Sequence, residues 1–477
     1  MKRKPTLILP VLVATISAIV IGCGGGSSSH SSNPVTIQKA NGYYNVTLDY
    51  ANTTHREMGR QLALAINNAM PDYAKTVDEA LAIQMAYLEL APIQPPLKFE
   101  DIVKRAKALY DNPAFYRDYK DEIEGMQTVF NSDVDKFGDG ILSKNELLVF
   151  QLFPDVMRPY SCSASAAFGN ASASGKTILG RNLDWVSDLD ESAAKLHSLT
   201  AFKNGSKTVA NFGILGQLAG VSIFNTSRVF GAILDADLGV PYPTTAELAS
   251  RRSYIFDLRY ALENFSTLNG VSNFMGDSNH LYAYNHLVFV ADQTSAGALE
   301  NQVNNPTGFT GNRRLRTDTS TLQPLPGDQT WGILGAFATV NDYRLVGNFF
   351  TDQRYNTSRW TSYKSKYAGV LTGQKVDVNT MKAIAGYPAG TGEMDQGAIF
   401  VSEPPKLISP NATYIPYSVP GATGNEEVPP YTTIQSIIVD MATMEFWAHF
   451  VPPKSSVTSG VYPPREATYQ KIPNPIY

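Results

Sequence analysis

Residues 54–70, THREMGRQLALAINNAM, place Leu62, Ala65, Ile66 and Met70 on one face at three and four spacing, which predicts a helix. Residues 78–91 and 99–110 repeat that spacing and predict two more, with Pro92, Pro95 and Pro96 breaking the first from the second. The segment 35–161 is therefore expected to be mainly helical. From Cys162 the pattern changes. Residues 162–240 and 284–300 read as strands, 246–266 as a helix and 432–450 as a hairpin. Short β runs around a helical stretch suit an α+β fold. Trp185, Trp331, Trp360 and Trp447 read as core or pocket wall.

The N-terminus has its own pattern. Lys2, Arg3 and Lys4 precede an apolar stretch, residues 6–21, TLILPVLVATISAIVI. At 16 residues it is short for hydrocarbon about 30 Å thick, so it reads as an export signal rather than a spanning helix. Val20-Ile21-Gly22-Cys23 resembles a bacterial lipobox, which implies cleavage after residue 22 and lipidation of Cys23. Gly24 in place of Asp implies sorting to the outer membrane. Residues 24–34, GGGSSSHSSNP, read as a flexible tether behind that lipid. The expected order is signal 1–22, lipidated tether 23–34, helical pro-region 35–161 and catalytic domain 162–477.

Composition narrows the classes. Of 477 residues 43% are apolar and 17% charged, which excludes wholesale disorder. The net charge of −4 becomes −7 once the basic signal is removed, and no basic block appears, so a nucleic-acid partner is not expected. The two cysteines, Cys23 and Cys162, could pair on paper, but each stands in a context that gives it a separate role.

DVDKFGDGILSKNE, 133–146, resembles a calcium loop. Counting back from Glu146 places Ser143, Asp139 and Asp135 at ligand positions but puts Phe137 at one as well. Alternatively Lys136 and Phe137 are an insertion, and Asp133 and Asp135 are the first two acids. The expectation is a structural calcium ion; the alternative is a solvated acidic turn before a helix.

The chemistry concentrates in residues 160–185, YSCSASAAFGNASASGKTILGRNLDW. Asn170 to Lys176 reads as a hairpin turn, so Cys162 begins one strand and Arg181, Asn182 and Asp184 lie on its neighbour. Antiparallel pairing brings Arg181 and Asp184 back beside Cys162. A guanidinium near a thiol favours thiolate, and a carboxylate orients an amine or guanidinium. Arg181 and Asp184 also read as a simple buried ion pair.

This block is similar to the cysteine-type N-terminal-nucleophile hydrolases: choloylglycine (bile salt) hydrolase, penicillin V acylase, acid-ceramidase-like amidases and, most closely, the acyl-CoA:6-aminopenicillanate acyltransferases. HREMGRQLA (55–63), RRSYIFDLRYALENFSTLNGV (251–271), YNHLVFVADQTSAGALE (284–300), VGNFF (346–350) with NTSRW (356–360), and TTIQSIIVDMATMEFW (432–447) resemble further motifs of that family in the same order.

The resemblance implies a four-layer αββα sandwich and a chain that cuts itself at Ser161–Cys162. Cys162 then becomes nucleophile and, through its new α-amine of ordinary pKa about 7.7–8.0, its own base. No cofactor is implied. By the same resemblance Asp184 holds the amine, Arg181 sits beside the thiol, Asn348 is an oxyanion or amine contact and Arg359 is the later arginine. Asp235 falls at the first oxyanion position, where a carboxylate would oppose negative charge unless protonated. The implied substrate is a small amide such as an N-acyl compound, a bile-salt conjugate or a penicillin, cleaved by water or by acyl transfer. Two other readings stand beside it: a papain-like protease pairing Cys162 with His286, and a non-catalytic, calcium-stabilised surface lipoprotein that binds a partner.

Overall fold

Strands at both ends of the chain are needed to complete the molecule. The computed structural model describes residues 33–90, 98–157, 161–186, 192–236, 243–303, 313–323, 330–348, 354–386, 406–407, 426–427, 431–456 and 468–476. The segment expected to be an export signal, Cys23 and most of the expected tether lie outside them.

Val35–Lys39 (β1) and Tyr44–Asp49 (β2) form a hairpin inside the segment expected to be mainly helical. Six helices follow: α1 His55–Ala69, α2 Tyr73–Leu90, α3 Phe99–Asp111, α4 Arg117–Gln127, α5 Lys144–Gln151 and α6 Phe153–Met157. Then come β3 Ser161–Ala167, β4 Ile178–Val186, α7 Ser192–Lys195, β5 His197–Asn204, β6 Lys207–Ile214, β7 Ser222–Asn225 and β8 Phe230–Asp235. The helices α8 Thr245–Leu248, α9 Tyr254–Asn264 and α10 Leu268–Met275 lead to β9 His286–Ala291, β10 Ala296–Asn301, β11 Arg313–Arg316 and β12 Ala336–Thr339. Last are α11 Arg354–Leu371, α12 Val378–Ala385, the two-residue strands β13 Lys406–Leu407 and β14 Glu426–Glu427, and β15 Tyr431–Asp440, β16 Glu445–Phe450 and β17 Gln470–Ile472.

Two sheets carry the core. One has nine strands in the order β1-β2-β5-β6-β7-β8-β9-β10-β11, antiparallel except for the parallel pair β2–β5. The other has six, β12-β3-β4-β15-β16-β17, all antiparallel. They stack face to face. Phe446 of β16 meets Phe212 of β6 and Phe224 of β7, and Phe337 of β12 stacks on Phe289 of β9.

Helices cover both outer faces. α9 lies on the larger sheet, where a Cβ at Gly231 would sit 2.9 Å from Leu258. α12 lies on the smaller one, where a Cβ at Gly180 would sit 2.9 Å from Ala385. The result is the α+β, four-layer arrangement that the resemblance implies.

The segment before Cys162 is built into this body. β2 extends the larger sheet, and Tyr73 donates to the Leu215 carbonyl at 2.9 Å. Asp155 accepts Ser253 Oγ at 2.5 Å and the Tyr254 N–H at 3.0 Å, at the start of α9. α1 and α4 cross with almost no gap. A Cβ at Gly59 would fall 1.9 Å from the Glu122 carbonyl, so only glycine admits the crossing. That approach buries Glu122 against Arg259 of α9, with Oε2 2.6 Å from Nη1.

Candidate active site

The hairpin read from the sequence forms. β3 and β4 pair antiparallel, with Ser161 opposite Asp184, Cys162 opposite Leu183 and Ala164 opposite Arg181. Alternation then puts Cys162, Arg181 and Leu183 on the face toward the larger sheet. Ser163 and Asn182 take the other face, where Tyr363 of α11 donates to Ser163 Oγ at 3.0 Å.

Each polar atom of Cys162 has a partner. Its N–H donates to Asn341 Oδ1 at 2.7 Å. Its carbonyl accepts from Arg359 Nη2. Its sulfur accepts from Arg181 Nη2 at 3.2 Å. The same nitrogen reaches the Ile233 carbonyl of β8 at 2.9 Å, which ties the thiol's neighbour to the facing sheet.

A second ring of bonds holds these partners. Arg359 Nη1 donates to Asn341 Oδ1 at 3.1 Å, and its Nη2 lies 3.6 Å from Asp184 Oδ2. Thr433, opposite Asp184 in β15, donates to Asp184 Oδ1 at 2.5 Å. Asn341 Nδ2 donates to the Asp235 carbonyl at 2.7 Å.

Cys162, Arg181, Asp184 and Arg359 are all buried. Burial pushes the Cys162 thiol above its ordinary pKa, because the anion is costly away from water. Arg181 pulls it back down and Asp184 pushes it up again. Among the described residues Arg181 is the one guanidinium in contact with the sulfur, and the net direction remains upward.

Four residues named from the sequence therefore meet: Cys162, Arg181, Asp184 and Arg359. The other two sit differently. Among the described residues no hydrogen bond joins Asn348 to Cys162. It sits in a turn, where its Nδ2 donates to Glu300 Oε2 at 2.8 Å. The asparagine on Cys162 is Asn341, seven residues earlier, which the sequence reading missed. It lies just beyond β12, and β12 pairs with β3 with Thr339 opposite Ala164. The strand-like run AFAT followed by an asparagine two residues on was the signal available. Asp235 meets the site through its main-chain carbonyl, which accepts from Asn341 Nδ2.

His286 belongs to a different environment. It lies opposite Asp235 between β8 and β9, with Nδ1 2.9 Å from the Tyr284 carbonyl and Nε2 3.1 Å from Asn301. Burial lowers its pKa to about 3. It makes no hydrogen bond to Cys162, so the papain-like pairing is absent. Trp331 packs against Trp360 with ring centroids 5.5 Å apart, as core.

The 133–146 loop spends its oxygens on the protein. Asp133 pairs with Lys144 at 2.9 Å, and Asp135 accepts Ser143 Oγ and Asn145 Nδ2, both at 2.6 Å. Asp139 accepts the Ile141 N–H at 2.8 Å. Glu146 caps α5 through the Ser143 N–H at 2.7 Å, and burial raises its carboxyl to about 7. Among the described residues no three His, Cys, Asp or Glu side chains gather as a metal site requires.

No family model and no curated protein matches the sequence. Solved structures with some likeness include the Caenorhabditis elegans ortholog of N-acylethanolamine-hydrolyzing acid amidase. It is 14% identical, with 59% of this chain and 96% of that one covered and a TM-score of 0.32. A mutant of conjugated bile acid hydrolase from Clostridium perfringens is 11% identical, covering 65% and 96%, with a TM-score of 0.37. Penicillin V acylase from Agrobacterium tumefaciens is 10% identical, covering 61% and 83%, with a TM-score of 0.31. Two of these three bear the names of enzymes in the family that the sequence resembles. Likenesses this slight carry no reaction or substrate to this chain.

Proposed function

We propose that this chain is a self-processing cysteine amidohydrolase whose nucleophile is Cys162. The observation that carries the reading is the convergence of Arg181, Asn341 and Arg359 on the sulfur, nitrogen and carbonyl of that one residue. A thiol that served only as core would not need its main chain held at both ends by buried side chains.

In processing, the Cys162 sulfur attacks the Ser161 carbonyl carbon and displaces the Cys162 nitrogen. Water then cleaves the resulting thioester, leaving the Ser161 carboxylate and a free α-amine on Cys162. Asn341 Oδ1 would hold that amine, and Asp184 would stabilise the ammonium it becomes on taking the thiol proton. In turnover the amine takes the thiol proton as the sulfur attacks the substrate carbonyl, and delivers it to the departing amine. Water releases the acyl group as a carboxylic acid. Asn341 Nδ2 has one hydrogen-bond partner among the described residues, which leaves its second hydrogen for the developing oxyanion. Arg181 stabilises the thiolate, and Arg359 fixes Asn341 and the Cys162 carbonyl. No cofactor enters these steps.

The substrate class is a small N-acyl amide, with acyl transfer to another amine as a variant of the second half-reaction. The protein acts as an exported lipoprotein held at the outer membrane by Cys23. Among the described residues no helix is long and apolar enough to cross a membrane. The test is amine release from a panel of N-acyl amides by the wild type and by Cys162→Ala. Release by the wild type alone supports the reading. Equal release by the variant overturns it.

A further inference from the structure

Glu300 is fully buried near the end of β10, and its carboxylate takes four donors. Oε1 accepts Arg316 Nε at 2.7 Å and the Arg344 N–H at 2.7 Å. Oε2 accepts the Leu345 N–H at 3.0 Å and Asn348 Nδ2 at 2.8 Å. Arg316 of β11 carries the contact onward. The register sets Glu300 opposite Arg314, so Glu300 and Arg316 are diagonal neighbours on one face. With its Nε on Glu300, Arg316 donates from Nη1 to the Ala338 carbonyl at 3.1 Å and from Nη2 to Thr339 Oγ1 at 2.9 Å.

The pair stands at the edge of the larger sheet, whereas β12 is the edge strand of the smaller one. Glu300 and Arg316 therefore grip β12 at 338–339 and the turn beyond it at 344–345. Asn341 lies between the two grips, with its Oδ1 on the Cys162 N–H. A buried ion pair adds little stability, because lost hydration offsets the attraction. It does fix geometry, since a guanidinium and a carboxylate bond in few orientations. A misplacement of about 1 Å at a reacting group can cost about 100-fold in rate.

We propose that Glu300, through Arg316 and the main chain of 344–345, is a positioning residue that sets Asn341 against Cys162. The inference rests on Cys162 as the self-cleaving nucleophile.

Self-cleavage is the readout, because its substrate is the chain itself. The full chain is made by cell-free synthesis as wild type, Glu300→Gln, Asn341→Ala and the double variant. Intact mass follows the appearance of the fragment that begins at Cys162. Glu300→Gln is expected to slow that appearance at least about tenfold. In the Asn341→Ala background the same substitution is expected to slow it less than about twofold, because the residue it positions is gone. Equal slowing in both backgrounds marks a merely structural carboxylate and overturns the proposal, as does a wild-type rate in folded Glu300→Gln. If Glu300→Gln fails to fold, Arg316→Lys is carried through the same two backgrounds, since it keeps the charge but loses the fork that reaches both Ala338 and Thr339. If Asn341→Ala does not cleave at all, amide hydrogen exchange in the uncleaved Cys162→Ala chain replaces the cycle. There Glu300→Gln is expected to speed exchange at residue 162 while the amides of β5 and β6 keep their protection. No change at residue 162, or uniform speeding across the chain, overturns the proposal. A wild-type chain that never cleaves overturns the proposed function instead, and the exchange measurement still decides whether Glu300 is linked to residue 162.

Discussion

Asn341 Oδ1 accepts the Cys162 N–H at 2.7 Å across 179 residues of sequence. Asn341 is held in turn by Arg359 and by the Asp235 carbonyl, so its position is fixed before any substrate arrives. That pre-organisation separates it from Asn348, whose side chain donates to Glu300. Asn341→Ala is expected to lower kcat/KM by about 100-fold or more, the usual loss for one such polar contact. Asn348→Ala is expected to cost stability, about 1–3 kcal/mol for a buried carboxylate stripped of a donor, with kcat/KM nearly unchanged. Steady-state kinetics beside urea unfolding of the two variants distinguishes the roles.

Arg181 lowers the Cys162 pKa against the upward push of burial. Removing it takes away the main downward influence and leaves only the Asp184 N–H, so the sign is a rise. Arg181→Leu is expected to shift the pH midpoint of Cys162 alkylation up and to slow alkylation at neutral pH. A midpoint that stays put or moves down contradicts the role.

His286 has a folded pKa of about 3 against about 6.5 when unfolded. A depressed histidine is neutral when folded, so the unfolded chain binds the proton first as pH falls. Its contribution to stability is intact above about pH 6.5 and drains at about 1.4 kcal/mol per pH unit below that. His286→Asn is expected to remove this part of the acid dependence between pH 6 and 4 while leaving cleavage at Ser161–Cys162 intact. Loss of cleavage in a folded variant would return the histidine to the mechanism.

The acids of 133–146 are satisfied by Lys144, Ser143, Asn145 and main-chain N–H groups. The melting temperature is therefore expected to be the same with excess chelator and with added calcium. A rise with calcium would show that the loop rearranges to take the ion.

The sequence made the nucleophile hairpin legible because its information is local. Small and apolar residues alternate on both sides of a turn rich in glycine and serine, so the partners of Cys162 are fixed by counting. Arg359 was reached only through the family resemblance. Asn341 was not, because its place depends on β12 joining the sheet edge beside β3, a pairing between segments about 170 residues apart. β1 and β2 were missed for a related reason. Five- and six-residue strands have little periodicity of their own, and they are stabilised by joining β5. The spacing of acids in 133–146 likewise does not say which of them cap a helix or pair with a lysine, as Glu146 and Asp133 do.

The central claim is tested most directly by intact mass and N-terminal sequencing of the purified protein beside Cys162→Ala. The account predicts a fragment beginning Cys162-Ser163-Ala164 in the wild type and none in the variant. A wild-type chain that remains whole through Ser161–Cys162 would remove the α-amine on which the mechanism depends and contradict the account.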